Sequence, residues 1–259
     1  MTGALAAPGS GLDPHLALAV FVLFCRIGGC LMLAPGFSSY QIPMQVRVFI
    51  AVAATLSLSP LLLDKLPMKL LEDDPVTALR YIGTELLIGG TIGILGRVFF
   101  IALETMMVGA ATLLGLSNPF GVEVEQSEAL PPIATMIMMG ATVLVFALDL
   151  HWEVLRGLVA SYDALPATGA FDVSFSLRHI ADAMVDTFRV ALRVCSPFII
   201  YAVVVNLAIS IINRLTPQIA IFYIATPFVI GGGLMLLYFT VRSLLGAFMT
   251  AFGSWLILG

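Results

Sequence analysis

Four ionisable residues of opposite sign lie on one face of a predicted helix. Asp182, Asp186, Arg189 and Arg193 follow one another at spacings of four, three and four residues. On a helix that turns by roughly 100° per residue, these positions fall within a stripe of about 60°. Inside a membrane such groups would suit ion-coupled transport, because a charge there is costly and usually marks a pathway. The alternative is a solvated or subunit-facing helix start with internal ion pairs, which the balance of acids and bases favours.

A second ionic group lies in the longest apolar segment. Arg97 and Glu104 are seven residues apart and share a helix face, whereas Glu85 lies about 100° away. An unpaired charge in lipid costs several kcal/mol. We therefore expect these side chains to face one another, a neighbouring subunit or water, with a proton relay as the less favoured alternative.

Motifs for catalysis are weak. Gly115-Leu116-Ser117, with His151 far along the chain, has a partial likeness to an intramembrane Ser/His protease. Asn118 occupies the position at which such a protease needs a glycine, and no base is placed beside the serine. The sequence therefore predicts a protein that is not an enzyme.

Metal, cofactor and nucleic-acid sites are not predicted either. The histidines lack H-E-x-x-H spacing, and the cysteines lack C-x-x-C spacing and lie in apolar runs, which is typical of small core residues. The net charge is −4 and the basic residues form no cluster, which excludes a nucleic-acid partner. The residues concerned are His15, His151, His179, Cys25, Cys30 and Cys195.

The composition is that of a membrane protein. Hydrophobic residues make up 60% of the 259 positions and charged residues 11%, against roughly 25% charged in an ordinary soluble domain. In lipid every backbone N–H and C=O must find a partner within the protein, and no alternating strand pattern is present, so an all-α fold is predicted. About six hydrophobic segments are expected, at residues 16–33, 48–63, 81–116, 133–148, 183–212 and 219–241.

The organisation follows from these segments. Residues 1–15 are predicted to be a flexible tail and residues 16–259 a single membrane domain. The third segment would be about 54 Å long as a helix, so it must tilt, protrude or break, with Gly89, Gly90, Gly93 and Gly96 as flex points. Loops are predicted at 35–43, 64–75, 117–132 and 149–178.

An apolar break follows the third segment. Residues 112–121 carry two glycines and a proline among bulky apolar side chains. Irregular backbone at membrane depth persists only where it is buried in protein or lines a cavity. This stretch is therefore either a plug for a pore or an ordinary turn outside the membrane.

Several stretches together resemble the FliR family of flagellar biosynthetic proteins, whose virulence-system relatives are called SctT or SpaR. The match spans most of the chain and depends on the order and spacing of its parts. They are Arg26-Ile27-Gly28-Gly29 through Ala34-Pro35, Ile42-Pro43, Val46-Arg47-Val48, the region from Glu104 to Pro119, His151-Trp152, Tyr162-Asp163-Ala164-Leu165-Pro166, and the hairpin Asn213-Arg214-Leu215-Thr216-Pro217-Gln218 leading to Phe222 and Thr226-Pro227.

The resemblance implies a structural subunit of the flagellar type III protein export gate. Hydrophobic helical hairpins would pack into a hetero-oligomeric helical assembly with FliP-like and FliQ-like subunits, in contact with FlhB-like and FlhA-like components. The gate would export unfolded flagellar proteins across the bacterial inner membrane at the flagellar basal body, in contact with membrane lipid. A virulence type III gate subunit is the first alternative, and a secondary transporter of small solutes is a weaker one.

The resemblance also implies roles for particular residues. A pore plug would span residues 109–121, and the other sets would contact subunits, pair as buried ions or form the hairpin. The plug residues are Gly109, Leu113, Leu114, Gly115, Leu116, Pro119, Phe120 and Gly121. The subunit-contact or buried ionic residues are Glu85, Arg97, Glu104, Asp182, Asp186, Arg189 and Arg193. The hairpin residues are Asn213, Arg214, Pro217, Gln218 and Pro227.

Overall fold

The fold is all-helical, as predicted. A computed structural model describes residues 14–38, 42–66, 75–116, 130–166, 173–216, 218 and 221–258, and within these ranges it contains seven α-helices, one 3₁₀ turn and no strand. The helices are α1 (Pro14–Leu33), α2 (Met44–Leu62, followed by the 3₁₀ turn Leu63–Lys65), α3 (Pro75–Leu113), α4 (Pro132–Ala147), α5 (Leu150–Ala164), α6 (Val173–Leu215) and α7 (Ile221–Leu258).

The helices group into two compact units. Unit 1 comprises the described parts of Met1–Gly93 and Leu158–Asp172, and unit 2 those of Ile94–Gly157 and Val173–Gly259. Within unit 1, α1 packs against α2. Within unit 2, α7 packs against both α6 and α4. The single domain expected from 16 to 259 stays a prediction, and residues 1–13 of the expected tail lie outside the described part of the chain.

Five of the described helices are long and apolar enough to cross a membrane, and the bent pair α4 and α5, at 67°, would make a sixth span. In the most apolar stretches of α6 and α7, only 17% and 6% of the residues are buried within the protein. Exposed apolar surface of this extent is covered in a membrane protein by lipid or by other chains.

One predicted loop is wrong over most of its described residues. Residues 149–178 were expected to be a loop, but residues 150–164 form α5 and residues 173–178 are the first part of α6. Val154, Leu158 and Tyr162 follow at spacings of four and are buried, which is the pattern of one face of a helix. The polar residues of the opposite face lower the local hydropathy and hide this helix from a search for apolar runs.

Of the alternatives for the third segment, which were to tilt, to protrude or to break, a break at the four glycines is not what the structure shows, because α3 is continuous through all of them. In unit 1, two of these glycines, Gly89 and Gly93, allow close helix packing instead. A Cβ atom at Gly89 would overlap the backbone of Arg26 in α1, and one at Gly93 would lie 2.6 Å from the carbonyl oxygen of Cys30. Small residues at such positions let two backbones approach each other, as is common between membrane helices.

Unit 2 is organised around an aromatic cluster between α3 and α7. The ring of Phe99 lies 4.9 Å from that of Trp255, and the ring of Phe100 lies 5.5 Å from that of Phe248. Phe252 contacts both Phe99 and Phe100, at 5.5 and 5.7 Å. Tilted and edge-on pairs of this kind add to the stability gained from burial alone. They hold the carboxy-terminal half of α3 against α7.

Prolines inside α2 and α6 are accommodated by the preceding serine. Pro197 supplies no N–H to the carbonyl of Arg193, and the Ser196 hydroxyl donates to that oxygen at 2.8 Å. In α2, Ser59 donates to the carbonyl of Leu56 at 2.9 Å, one turn before Pro60. The α-helical conformation therefore continues through both prolines.

Candidate functional site

The end of α3 is built as a tight helix stop. The N–H of Leu116 donates to the carbonyl of Ala111 at 2.8 Å, and the N–H of Gly115 donates to that of Thr112 at 3.1 Å. Gly115 has φ of 68°, the left-handed conformation that glycine adopts without a Cβ penalty. This pair of bonds is the Schellman motif. The chain therefore leaves the helix in a defined direction, with the side chains of Leu114 and Leu116 turned inward.

Leu114 and Leu116 are buried, with exposed fractions of 3% and 5%, whereas the adjacent Leu113 is 46% exposed. The two buried leucines border a cavity of about 10 Å³ whose lining is apolar. Such a volume is at the lower limit of what a water molecule needs, and the apolar lining offers a water molecule no polar partner. The other lining residues are Met107, Ala110, Ala111, Ile133, Phe198, Gly233 and Leu237.

The three consecutive glycines of α7 have different surroundings. A Cβ atom at Gly233 would lie 3.4 Å from both methyl groups of Leu114, and one at Gly232 would overlap the hydroxyl of Tyr201. At Gly231 nothing lies within 4 Å. The Tyr201 hydroxyl donates to the carbonyl of Val229 at 3.1 Å, so α6 and α7 meet closely at this level. Gly232 and Gly233 therefore allow neighbouring segments to pack closely against α7.

The structure describes five of the eight predicted plug residues and places them in two settings. Gly109 and Leu113 belong to α3, and Leu114, Gly115 and Leu116 form its carboxy-terminal cap. The remaining predicted plug residues, Pro119, Phe120 and Gly121, lie outside the described residues. The first part of the predicted loop is therefore helix and helix cap.

An ionic cluster in unit 1 is buried among α1, α3 and the end of α5. Arg26 and Glu85 both have fully buried side chains and pair through two bonds, Nε to Oε2 at 2.6 Å and Nη2 to Oε1 at 2.7 Å. Arg26 also donates to Ser161 Oγ at 3.1 Å and to the carbonyl of Leu165 at 2.9 Å. Its guanidinium carbon lies 3.9 Å from the centre of the Tyr162 ring. The cluster joins three chain segments through one cation.

This pairing was missed at the sequence level. Glu85 was grouped with Arg97 and Glu104 from the periodicity of their helix, and Arg26 was noted only as part of a motif. The available signal was that Arg26 is the single charge in the run 16–33, and a charge inside an apolar helix requires a partner. The partner lies 59 residues further along the chain, a separation that no helix period can indicate.

Arg97 and Glu104 were expected to face one another, a neighbouring subunit or water. They do not form an ion pair with each other. Arg97 is exposed and Glu104 is partly exposed on α3. Among the described residues, neither has an oppositely charged partner within ion-pair distance. Contact with water or with a neighbouring subunit stays a prediction for both.

The four charges on α6 are all exposed. Arg189 pairs with Asp186 at 3.0 Å between side chains that are 74% and 67% exposed. Asp182 and Arg193 lie one turn before and one turn after this pair on the same stripe. The arrangement is that of a surface with internal ion pairing, and its use as a subunit contact stays a prediction.

The hairpin residues mark the end of α6 and the first part of α7. Asn213 and Arg214 are exposed in the last turn of α6, and Gln218 is exposed beyond it. Arg214 stands where a positive charge stabilises the carboxy-terminal end of the helix dipole. Pro227 lies exposed within α7, and Pro217 lies outside the described residues.

The described residues contain no group of three or more His, Cys, Asp or Glu side chains placed to hold a metal ion. The Nδ1 atom of His151 is buried and has no hydrogen-bond partner in the described part of the chain. Its ring lies 5.4 Å from that of Phe146 and 5.7 Å from that of Trp152. Ser117, which the Ser/His protease alternative pairs with His151, lies outside the described residues.

Comparison with known proteins shows likeness along nearly the whole chain. A family model described as bacterial export proteins, family 1, matches residues 17–255. A protein named Flagellar biosynthetic protein FliR from Caulobacter vibrioides is 29% identical over 223 residues, which cover 83% of this chain and 85% of that protein. Proteins of the same name from Aquifex aeolicus and Escherichia coli are 25% and 26% identical, covering 85% and 82% of this chain and 84% and 80% of their own.

Proposed function

This chain belongs to the bacterial export proteins, family 1, and we propose from that membership that it is a structural subunit of the flagellar type III protein export gate. The resemblance to FliR that the sequence motifs predicted is confirmed. Its long apolar helices fit an export component embedded in a membrane. The site of action would be the bacterial inner membrane at the flagellar basal body.

The subunit would act as part of an assembly. The apolar faces of α6 and α7 are exposed over most of their length, and the charged stripe of α6 lies on the same exposed surface. Lipid covers apolar side chains, but charged ones are costly in it. A mixed surface of this kind is suited to FliP-like and FliQ-like helices in a shared channel, with FlhB-like and FlhA-like components as further neighbours.

The contribution of this chain to gating would be a plug that begins at the end of α3. The observation that carries this proposal is the apolar, capped turn of residues 114–116, which ends α3. Apolar side chains close a narrow pore to ions by excluding water. They remain a soft obstacle that an unfolded protein can displace. The role requires no catalytic group and no cofactor.

The test is to delete residues 113–121 and to measure ion leak through the inner membrane and export of flagellar proteins. We expect a raised ion leak in the deletion variant, because the apolar seal is lost. A control variant keeps the full length of the chain and carries methionine in place of Leu113, Leu114 and Leu116. It keeps the apolar character of the stretch, so its pore should stay closed to ions. An unchanged leak together with unchanged export in the deletion variant would remove the plug assignment.

Membership in the assembly is tested separately. The chain should co-purify with FliP-like and FliQ-like subunits and should be unstable without them, since α6 and α7 leave apolar surface uncovered. A stable monomer that binds a small solute would instead support the transporter alternative.

A further inference from the structure

We propose that Gly233 in α7 is the residue that receives Leu114 when the gate is closed, and that this contact sets how firmly the gate shuts. The proposal rests on the proposed plug function. It adds a residue 119 positions away from Leu114 in the sequence, on another helix, which the motif resemblance did not include among the plug residues.

The contact depends on the missing side chain of Gly233. Both methyl groups of Leu114 lie 3.4 Å from the position that a Cβ atom would take at residue 233, and the Cβ of Leu114 lies 3.7 Å from it. These are ordinary van der Waals distances. A single methyl group can therefore be added at 233, whereas a larger side chain would have to displace Leu114.

The surroundings make α7 the rigid partner in this contact. The Tyr201 hydroxyl is bonded to the carbonyl of Val229 and lies over Gly232, directly beside Gly233. Further along α7, Phe248 and Phe252 are fixed in the aromatic cluster with α3. Leu114 lies in the cap that follows the last residue of α3, beyond these contacts. Opening would therefore withdraw Leu114 from a pocket that stays in place.

The pocket has almost no spare volume. The cavity beside Leu114 measures about 10 Å³, so an enlarged side chain at 233 and a shortened one at 114 have opposite effects on the same space. Protein interiors respond to such volume changes because they are close-packed. A volume-conserving exchange is tolerated far better than either change alone.

The main test is an exchange of volume between the two positions in the complete gate assembly. Gly233→Val adds three carbons, and Leu114→Ala removes three, so the double variant conserves the total. Ion leak is measured as the influx of a small permeant ion into cells that carry each variant, with the amount of each protein in the membrane determined in parallel. We expect each single variant to raise the leak about tenfold or more, and the double variant to return to within about twofold of the parent.

A second measurement uses a smaller change at residue 233, so it does not depend on whether the Gly233→Val variant folds. In a leaky background made by Leu116→Ala, Gly233→Ala should lower the leak about fourfold, the equivalent of one buried methylene group. Gly231→Ala is the matched control, because it makes the same change two residues earlier on the same helix, where nothing lies within 4 Å. It should leave the leak unchanged.

The outcomes separate the two proposals. If deletion of residues 113–121 opens the gate but the effects of Gly233→Val and Leu114→Ala multiply in the double variant, the contact with Gly233 is refuted and the plug remains. The contact is also refuted if Gly233→Ala and Gly231→Ala act alike. If the deletion itself changes neither leak nor export, the plug is refuted and this inference with it.

Discussion

Replacing Glu85 by alanine leaves the buried guanidinium of Arg26 without its counter-ion, and we expect this to destabilise the protein strongly. Both side chains are fully buried and are joined by two short bonds. Removing one member of a buried ion pair typically costs about 3–5 kcal/mol, because an uncompensated charge is left in a medium that solvates it poorly.

The remaining contacts of Arg26 place the expected cost at the lower end of that range. After the substitution the guanidinium keeps the hydroxyl of Ser161, the carbonyl of Leu165 and the ring of Tyr162. These groups are neutral, so they compensate the cation only in part. We expect a loss of about 3 kcal/mol, which corresponds to a fall of about 6–12 °C in melting temperature for a chain of this size.

The assay is thermal unfolding of the protein purified together with its assembly partners. Arg156→Ala is the control, since Arg156 pairs with Glu153 but is 76% exposed, and an exposed pair contributes less than about 1 kcal/mol. The double variant Arg26→Met with Glu85→Met removes both charges and fills the space with apolar atoms, which is often neutral or stabilising.

Two results would contradict this account of the ion pair. One is a melting temperature for Glu85→Ala within the range of the Arg156→Ala control. The other is a double methionine variant that is less stable than Glu85→Ala alone, because this would mean that the cost does not come from a stranded charge.

Three further contacts are tested by substitution with the same melting measurement. Tyr162→Phe keeps the ring whose centre lies 3.9 Å from the guanidinium carbon of Arg26 but removes a buried hydroxyl beside the Glu85 carboxylate, so it should cost about 1 kcal/mol, and an unchanged melting temperature would show that the hydroxyl does not stabilise that carboxylate. Gly89→Ala should destabilise by about 1–3 kcal/mol or more, because its methyl group would overlap the α1 backbone, whereas Gly83→Ala, with open space around it, should gain about 1 kcal/mol. Ser196→Ala should cost about 1 kcal/mol by removing the donor to a carbonyl one turn before Pro197, and adding Pro197→Ala should restore that loss by returning a backbone N–H.

The sequence was sufficient to predict the fold class and the family. Long apolar runs can only be helices in lipid, and the predicted segments contain the cores of α1, α2, α3, α4, α6 and α7. It failed at α5 because only one face of that helix is apolar. It also failed to show α7 continuing to Leu258, since the exposed Arg242 and Ser243 interrupt the apolar run without interrupting the helix.

Site residues were less predictable than the fold, and the reason is geometric. The positions of Leu114 and Gly115 as the end of a helix follow from local chemistry, because a glycine after an apolar helix is a common stop. That Leu114 would lie on Gly233, or that Glu85 would face Arg26, depends on which helices pack together. Neither contact is indicated by a hydrophobic period or by a sequence motif, so neither can be inferred from a single sequence.

The distribution of charge explains why this protein needs an assembly. Of its ionic groups within the candidate spans, Arg26 and Glu85 pair with each other inside the protein, whereas Arg97 and the four charges of the α6 stripe lie exposed on helices whose other exposed side chains include many large apolar ones. Lipid would solvate the apolar side chains but not the charges, and water would do the reverse. Only a surface that carries both apolar and charged groups can cover the apolar and the charged side chains together. Neighbouring protein subunits can present such a surface. On the function proposed above, the helices of this chain would be stabilised as parts of a channel wall, because the neighbouring subunits would cover the apolar and the charged side chains together.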